Sequence, residues 1–221
     1  MFDANCLKLM FVAGSQDFYH IKGGKNDRIN ALLDTLESAL QSKITAFQFR
    51  QKGDSALQDP VEIKQLALEC QKLCQKYGVP FIVNDEAPLA LELKADGVHV
   101  GQEDMAIEEV ITLCKKRQFI GLSVNTLEQA LKARHLDGVA YLGVGPIFPT
   151  PSKKDKQVVG VELLKKIKDS GVKKPLIAIG GINTDNALKL RECGVSGIAV
   201  ISAIAQAKDK ALAVGKLLNN A

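Results

Sequence analysis

The sequence predicts an α/β protein, a (β/α)8 TIM barrel of eight parallel strands that each lead into a helix. Eight short β-rich runs alternate with longer amphipathic segments. The runs are almost continuously apolar, which is typical of parallel strands covered on both faces. A chain of 221 residues suits one such barrel, and no break in composition marks a boundary, so we expect residues 1–221 to form a single domain. An open, doubly wound sheet is the structural alternative.

The elements follow one another in a regular order. The predicted strands cover residues 7–13, 44–49, 80–84, 97–100, 119–123, 139–143, 176–180 and 197–201. The predicted helices cover residues 29–40, 61–77, 87–93, 107–116, 127–134, 161–169, 184–192 and 203–218. Two connections are long, residues 14–27 after the first strand and residues 145–160 after the sixth. Long loops at the carboxyl ends of barrel strands often bind ligands or close over them.

Composition argues against several classes of protein. The 29 basic and 25 acidic residues leave a net charge of only +4, Trp is absent and aromatics make up 5%, which gives nucleic-acid binding little support. No run approaches the roughly 20 apolar residues of a membrane helix, and residues 7–13 are too short for a signal peptide. Five scattered cysteines without a CxxC pair indicate reduced thiols in a cytoplasmic protein. The sequence leaves open whether the chain forms a homo-oligomer.

Two cations follow the second strand. Residues 47–53 read Phe-Gln-Phe-Arg-Gln-Lys-Gly. Because strand side chains alternate, Gln48, Arg50 and Lys52 point the same way. If Gln48 faces the barrel interior, Arg50 and Lys52 lie at its mouth. The alternative is a solvated strand end, which does not explain why charge alternates with Phe47 and Phe49.

Acidic residues follow the next two strands. The third strand ends in Asn84-Asp85, and residues 101–104 read Gly-Gln-Glu-Asp. Neighbouring strands lie about 4.8 Å apart, so Asp85 and Asp104 can converge. Two carboxylates beside cations suit Mg²⁺ that also binds phosphate oxygens. Taken singly, each aspartate is instead typical of a helix N-cap. His99, in an apolar strand, is predicted to be a hydrogen-bonded core histidine rather than a catalytic one.

The later strands end in groups suited to anions. The fifth ends at Ser123, Gly180-Gly181 follows the seventh, and the eighth runs through Ile201-Ser202 into a helix. Bare N–H groups after the seventh strand and a helix N-terminus after the eighth form the phosphate site of many barrels. The loop after the sixth strand adds hydroxyl and ammonium groups, namely Thr150, Ser152 and Lys153.

These strand ends predict two anion sites. One combines the cations Arg50, Lys52 and Lys153 with the two aspartates, which suits a diphosphate with Mg²⁺. The other combines Gly181, Ile201 and Ser202 with the hydroxyls of Thr150 and Ser152, which suits a monophosphate. An enzyme that joins two phosphorylated molecules and releases diphosphate needs such an arrangement.

At these residues the chain resembles the thiamine-phosphate synthase family. The matching pieces, in the family's order, are residues 48–52 (QFRQK), 84–85 (ND), 95–104 (ADGVHVGQED), 121–123 (GLS), 143–153 (GVGPIFPTPSK), 180–182 (GGI) and 199–203 (AVISA). The resemblance implies a barrel that couples hydroxymethylpyrimidine diphosphate to a thiazole phosphate. It implies a dissociative reaction in which diphosphate leaves first and the thiazole nitrogen then attacks the pyrimidine-methyl cation.

Roles for single residues also come from the resemblance. It implies that the pyrimidine diphosphate is bound by Gln48, Phe49, Arg50, Gln51, Lys52, Asn84, Ser123 and Lys153. It implies that Mg²⁺ is bound by Asp85 and Asp104. It implies that the thiazole phosphate is bound by Thr150, Pro151, Ser152, Gly181, Ile201 and Ser202. The residues expected to be catalytic are Arg50, Lys52, Ser123 and Lys153.

The match to the family is incomplete. Gln51 stands where the family usually has Glu, Ser152 stands where it usually has Thr, and residues 14–27 match poorly. Two rivals remain, a related barrel that isomerises the thiazole phosphate and a non-catalytic barrel that binds a thiamine precursor. The isomerase needs neither leaving-group cations nor a metal pair, and the binding protein would lack such residues. The leaving-group cations and the pair of aspartates are both present here, which favours the synthase.

Overall fold

The eight predicted strands close into a barrel. The computed structural model describes residues 2–115, 117–150 and 157–220, apart from the side chain of residue 220. Within these ranges every strand is parallel to the next, and the last pairs with the first. The strands are β1 Leu9–Ala13, β2 Ala46–Phe49, β3 Phe81–Asn84, β4 Gly97–Val100, β5 Phe119–Val124, β6 Val139–Val144, β7 Leu176–Ile179 and β8 Gly197–Val200. The predicted (β/α)8 barrel is confirmed, and the open sheet is wrong.

Helices separate the strands and cover the outside of the barrel. In the described ranges they are α1 Lys25–Gln41, α2 Pro60–Tyr77, α3 Ala87–Glu92, α4 Ile107–Cys114, α5 Leu127–Ala133, α6 Gly160–Asp169, α7 Leu188–Arg191, α8 Ser202–Ala205 and α9 Lys210–Asn220. The ends of α2 follow from local chemistry. The Asp59 carboxylate accepts from the N–H of Val61, Pro60 is the first helical residue, and Gly78 ends the helix at φ 66°. None of the described helices combines the length and apolar character that crossing a bilayer requires.

Two predicted helices are shorter than expected. The helix predicted over residues 184–192 is only α7, because Asn183 Oδ1 accepts from the N–H groups of Asp185 and Asn186 and holds a turn there. The helix predicted over residues 203–218 divides into α8 and α9. The Asp209 carboxylate accepts from the N–H of Leu212 and starts a new helix, a preference that an apolar periodicity does not reveal.

The core has two layers, one inside the barrel and one between strands and helices. The inner layer contains Met10, Val12, Ile82 and Tyr141. Phe47 and Phe49 belong to the outer layer, where burying each ring stabilises the fold by about 1.5–3 kcal/mol. Gln48 lies between these two phenylalanines in β2. It therefore faces the interior, as the alternation predicted.

Candidate active site

Three charged side chains meet at the mouth of the barrel. Lys52, just after β2, places its Nζ 2.6 Å from Asp85 Oδ2 and 3.2 Å from Asp104 Oδ1. The two aspartates follow β3 and β4, so one ammonium links three neighbouring strand ends. The convergence predicted from the order of parallel strands is confirmed. Asn84, the last residue of β3, is half-buried beside this group.

Neither aspartate caps a helix. Helix α4 begins at Ile107 after Ala106, and α3 begins after Glu86, with no side-chain cap in either case. Asp104 Oδ2 instead accepts from the N–H of Gly101 at 2.8 Å, which closes the turn after β4. The cap-only interpretation is therefore wrong for both residues. Asp85 has φ 64°, a left-handed conformation that Asp tolerates better than most residues.

The two carboxylates are electrostatically unequal. Burial raises the pKa of Asp85 and outweighs the opposing effect of Lys52; a hydrogen bond with Asp104 raises it further. Burial also acts on Asp104, but hydrogen bonds with Asp85, the Gly101 N–H and Lys52 hold the pKa of Asp104 below its usual value. Burial lowers the pKa of Lys52, yet bonds to both aspartates raise it overall. The site is thus built around a cation between two acids.

The donor set fits a hard divalent cation. Mg²⁺ in proteins is commonly held by one or two carboxylates, with water and substrate phosphate completing its shell. Asp85 and Asp104 provide two such carboxylates within reach of one ammonium. Across the described ranges, no three His, Cys, Asp or Glu side chains come together. These residues therefore suit a metal that shares its coordination with a phosphorylated ligand.

The loop after β1 supports Arg50. Gln16 Nε2 donates to the backbone oxygen of Arg50 at 2.7 Å and to Asp17 Oδ2 at 2.9 Å, and the N–H of Gly14 also donates to Asp17 Oδ2. Burial raises the pKa of Asp17, while the Arg50 charge acts against that rise. The sequence did not reveal what this loop contacts; here it supports the backbone that carries one of the predicted leaving-group cations.

The Phe49 side chain does not join the residues at the mouth, whereas Gln51 lines a surface cavity together with Lys52. The Phe49 ring is 2% exposed and packs in the outer core, with its centroid 6.3 Å from that of Phe81. Gln51 Oε1 accepts from Ser15 Oγ and from the N–H of Leu57, both at 3.2 Å. Of residues 48–52, Gln48 contacts Met10 of the inner layer, and Lys52 reaches the two aspartates at the mouth. The alternation of the strand decides this division.

Ser123 of β5 is held by a histidine of the neighbouring strand β4. His99 is buried, with Nε2 2.9 Å from Ser123 Oγ and Nδ1 2.9 Å from Tyr141 Oη. Gln102 Nε2 donates to the Ser123 backbone oxygen at 2.6 Å. The predicted hydrogen-bonded core histidine is confirmed, and it also contacts a predicted site residue. Tyr141 was treated only as part of an apolar strand, although a buried phenol normally needs a partner for its O–H group.

A separate cavity lies on the other side of the mouth. Its lining includes Thr150, Gly181, Ile201 and Ser202, the described members of the predicted monophosphate site. Gly181 has φ 65°, and a Cβ there would lie 2.5 Å from the Pro149 backbone oxygen.

Two details qualify the predicted monophosphate site. Helix α8 has only four residues. It can therefore bind an anion through its free backbone N–H groups and not through a long helix dipole. Residues 151–153, which include Pro151, Ser152 and Lys153, lie outside the described part of the chain. The predictions for those three side chains stay predictions.

Comparison with known proteins gives consistent matches. The family model described as thiamine monophosphate synthase matches residues 18–204. The chain is 91% identical over 221 residues to a thiamine-phosphate synthase of Helicobacter pylori, with 100% of both chains covered. It is 52% identical over 216 residues to a thiamine-phosphate synthase of Pasteurella multocida, covering 97% of this chain and 96% of that one.

A solved structure agrees with the sequence matches. It is titled thiamine phosphate pyrophosphorylase from Pyrococcus furiosus, and it superimposes with a TM-score of 0.81 at 36% identity. The superposition covers 98% of this chain and 96% of that one. The similarity therefore extends over all eight strands and over the strand ends that form the mouth.

Proposed function

The chain belongs to the thiamine monophosphate synthase family and is a transferase, and on this premise we propose its substrates and mechanism. We infer that it joins 4-amino-2-methyl-5-hydroxymethylpyrimidine diphosphate to 4-methyl-5-hydroxyethylthiazole phosphate. The products are thiamine phosphate and diphosphate. One observation carries the proposal: Lys52 with its two aspartates and a separate cavity lined by Gly181 lie at the same barrel mouth, which supports two anion sites.

The first region suits the leaving diphosphate. Lys52 is half exposed, so its ammonium is accessible to a ligand while it pairs with Asp85 and Asp104. Arg50 directly follows β2, two residues before Lys52, and its backbone oxygen accepts a hydrogen bond from Gln16. Mg²⁺ held by Asp85 and Asp104 would add positive charge where the diphosphate becomes more negative. Each preorganised charge or donor of this kind contributes about 3–4 kcal/mol to transition-state stabilisation.

The second region suits the monophosphate of the thiazole. Gly181 lets backbone approach the ligand closely, and Thr150 and Ser202 add hydroxyl groups along the same cavity. Ser152 and Pro151 complete this region in the proposal. Lys153, three positions after Thr150, is assigned to the diphosphate, so the loop that carries these residues is proposed to span both substrates.

Bond breaking precedes bond making in the proposed reaction. The bond between the pyrimidine methylene carbon and the diphosphate oxygen breaks, and its electron pair leaves with the diphosphate. The methylene cation is then attacked by the lone pair of the thiazole nitrogen. That nitrogen carries no proton, so no general base is required. Arg50, Lys52 and Lys153 neutralise the leaving group, while Ser123, Asn84 and Gln48 bind and orient the pyrimidine diphosphate.

A reconstituted reaction tests the function. Purified protein is incubated with both substrates and Mg²⁺, and diphosphate and thiamine phosphate are quantified, with EDTA in a parallel reaction. We expect equal amounts of both products, and none with EDTA. Absence of both products with Mg²⁺ would refute the synthase. A further sample with thiazole phosphate alone tests for the isomerase, which predicts a tautomerised thiazole product without the pyrimidine substrate.

The proposal also covers the domain organisation and the cellular location of the enzyme. We propose that residues 1–221 act as one domain in the cytoplasm. Support comes from the barrel, which closes only when β8 pairs with β1, so that both ends of the chain are needed for one sheet.

A further inference from the structure

We propose that Lys52 competes with Mg²⁺ for Asp85 and Asp104. Without metal, its ammonium binds the carboxylate oxygens that the metal needs, and metal binding releases it toward a diphosphate. That this diphosphate is the leaving group of the pyrimidine substrate rests on the function proposed above. The competition does not, because it concerns only the protein, Mg²⁺ and inorganic diphosphate.

The ammonium contacts one oxygen of each carboxylate. Lys52 Nζ donates to Asp85 Oδ2 at 2.6 Å and to Asp104 Oδ1 at 3.2 Å. The other Asp104 oxygen accepts from the Gly101 N–H at 2.8 Å, so Oδ1 is the oxygen left for a cation. Mg²⁺ binds carboxylate oxygens at about 2.0–2.1 Å. On these two oxygens it would lie within about 5 Å of the ammonium, where the two positive charges repel each other.

The carboxylates are held in place more firmly than the ammonium. The Asp85 N–H donates to the His99 backbone oxygen at 2.8 Å, and Asp104 is bonded to Gly101. The Asp85 and Asp104 side chains are 17% and 20% exposed, whereas that of Lys52 is 51% exposed. A lysine ammonium sits on a flexible four-carbon stem. When a second cation arrives, Lys52 therefore moves and the aspartates stay where they are.

Lys52 has space to move into. It lines a surface cavity together with Gln51, Gly53, Asp54 and Leu57. Gly53 has φ 96°, and no atom of the described residues lies within 4 Å of a Cβ added there. The ammonium can therefore leave the aspartates without displacing a packed side chain.

The release of Lys52 couples metal binding to anion binding. While Lys52 pairs with two carboxylates, a diphosphate that takes the ammonium has to break those contacts. Mg²⁺ on the aspartates removes this penalty. The coupling is reciprocal, because a diphosphate that takes Lys52 leaves the aspartates to the metal. The two ligands then favour each other through Lys52, in addition to any direct bond between them.

Calorimetric titration with Mg²⁺ alone tests the competition. Lys52→Met removes the competing charge, so Mg²⁺ should bind about 3- to 10-fold more tightly than to the unmodified protein, which is the worth of two partly exposed ion pairs. Lys52→Arg keeps a cation and should show no such gain. Asp85→Asn should weaken binding at least about 10-fold and so locate the metal. Binding of Mg²⁺ to Lys52→Met that is unchanged, weaker or undetectable overturns the proposal.

NMR of the lysine ammonium groups tests whether Lys52 moves. Its signal is the one that is lost in Lys52→Arg, which has no ammonium at this position. We expect the order parameter of this group to fall when Mg²⁺ saturates the site and to rise again when inorganic diphosphate is added. An order parameter that saturating Mg²⁺ leaves unchanged would show that both cations bind the aspartates together. That result rejects the competition even if Lys52→Met binds the metal more tightly, because loss of charge alone would explain the gain.

A thermodynamic cycle with inorganic diphosphate measures the coupling. The quantity compared is the factor by which Mg²⁺ tightens diphosphate binding, corrected for the complex that the two ligands form in solution. This factor should be at least about threefold smaller in Lys52→Met than in the unmodified protein. Equal factors would mean that the two ligands are coupled only by direct contact, which contradicts the proposed role of Lys52.

A control variant separates the effect of Lys52 from that of net charge. Lys76, at the opposite end of α2 from Lys52, pairs with Glu37 of α1 at 2.7 Å. Lys76→Met should leave Mg²⁺ affinity unchanged, and a gain equal to that of Lys52→Met would overturn the assignment. If Lys52→Met does not fold, the order parameter in the unmodified protein decides. If the ligands behave as expected but no thiamine phosphate is formed, the proposed function fails and this inference stands.

Discussion

Gly121→Ala places a methyl group where the barrel interior has no room for one. The new Cβ would lie 2.2 Å from Tyr141 Cζ and 2.4 Å from His99 Nδ1. Ordinary contact begins near 3.4 Å, so the phenol ring has to move by about 1.2 Å. Tyr141 is buried against Phe2 and Phe119, with ring centroids at 6.3 and 6.4 Å, so it has little space to move into.

The energetic cost follows from two terms. Forcing a methyl group into a packed core costs about 1–3 kcal/mol. A shift of this size also breaks the 2.9 Å bond between Tyr141 and His99, which is worth about 1 kcal/mol. We therefore expect Gly121→Ala to lower the free energy of unfolding by about 2–4 kcal/mol. Because Ser123 loses its support, kcat/KM for the pyrimidine diphosphate should fall at least about 10-fold.

Urea unfolding and steady-state kinetics measure these effects. Gly215→Ala is the matched control, because Gly215 lies inside α9 and nothing lies within 4 Å of the added Cβ. The same substitution there should raise the free energy of unfolding by about 0.5–1 kcal/mol through helix propensity and leave the kinetics unchanged. Equal m-values show that both variants unfold from comparable states.

If Gly121→Ala is as stable as the unmodified protein, the packing argument is refuted. If stability falls while kcat/KM stays unchanged, the link from Tyr141 and His99 to Ser123 is refuted. A similar loss in Gly215→Ala would mean that the change reflects the loss of glycine itself and not the contact with Tyr141.

The other predictions concern the two anion regions. Lys52→Met should lower kcat about 10²- to 10³-fold in steady-state assays through loss of one preorganised charge, whereas Lys132→Met, an exposed lysine on α5, should not change it. Asp85→Asn keeps a residue that tolerates φ 64° and should raise the Mg²⁺ concentration for half-maximal activity at least about 10-fold; an unchanged titration rejects metal binding there. Gly181→Ala should raise KM for the thiazole phosphate at least about 10-fold, with little change in KM for the pyrimidine diphosphate. The reason is that the φ of 65° and the 2.5 Å approach of an added Cβ to the Pro149 backbone oxygen exclude a side chain. Equal changes in both KM values would show that the two regions are not separate.

The predicted convergence of Lys52, Asp85 and Asp104 required only local rules. Alternation along β2 puts Gln48, Arg50 and Lys52 on one side, and parallel neighbours bring consecutive strand ends together. Neither rule depends on distant packing. The same alternation puts Phe49 on the other side of the strand, in the outer core, although the resemblance implied that it binds the pyrimidine diphosphate.

Helix ends and loop contacts were less predictable. The break between α8 and α9 depends on the Asp209 carboxylate bonding to Leu212, and the shortened α7 depends on Asn183. The contact of Gln16 with the Arg50 backbone joins residues 34 positions apart. Such contacts depend on how a loop folds back over the barrel, and no period in the sequence encodes that.

The sequence by itself determined the barrel, the family, and which strand ends carry charge, because all three depend on residue order and on side-chain alternation. Only the tertiary structure decided that His99 meets Tyr141 across Gly121 and reaches Ser123 with its other nitrogen. That meeting depends on the stagger between β4, β5 and β6. Stagger is set when the sheet closes on itself, so it is a property of the whole barrel and not of any one strand.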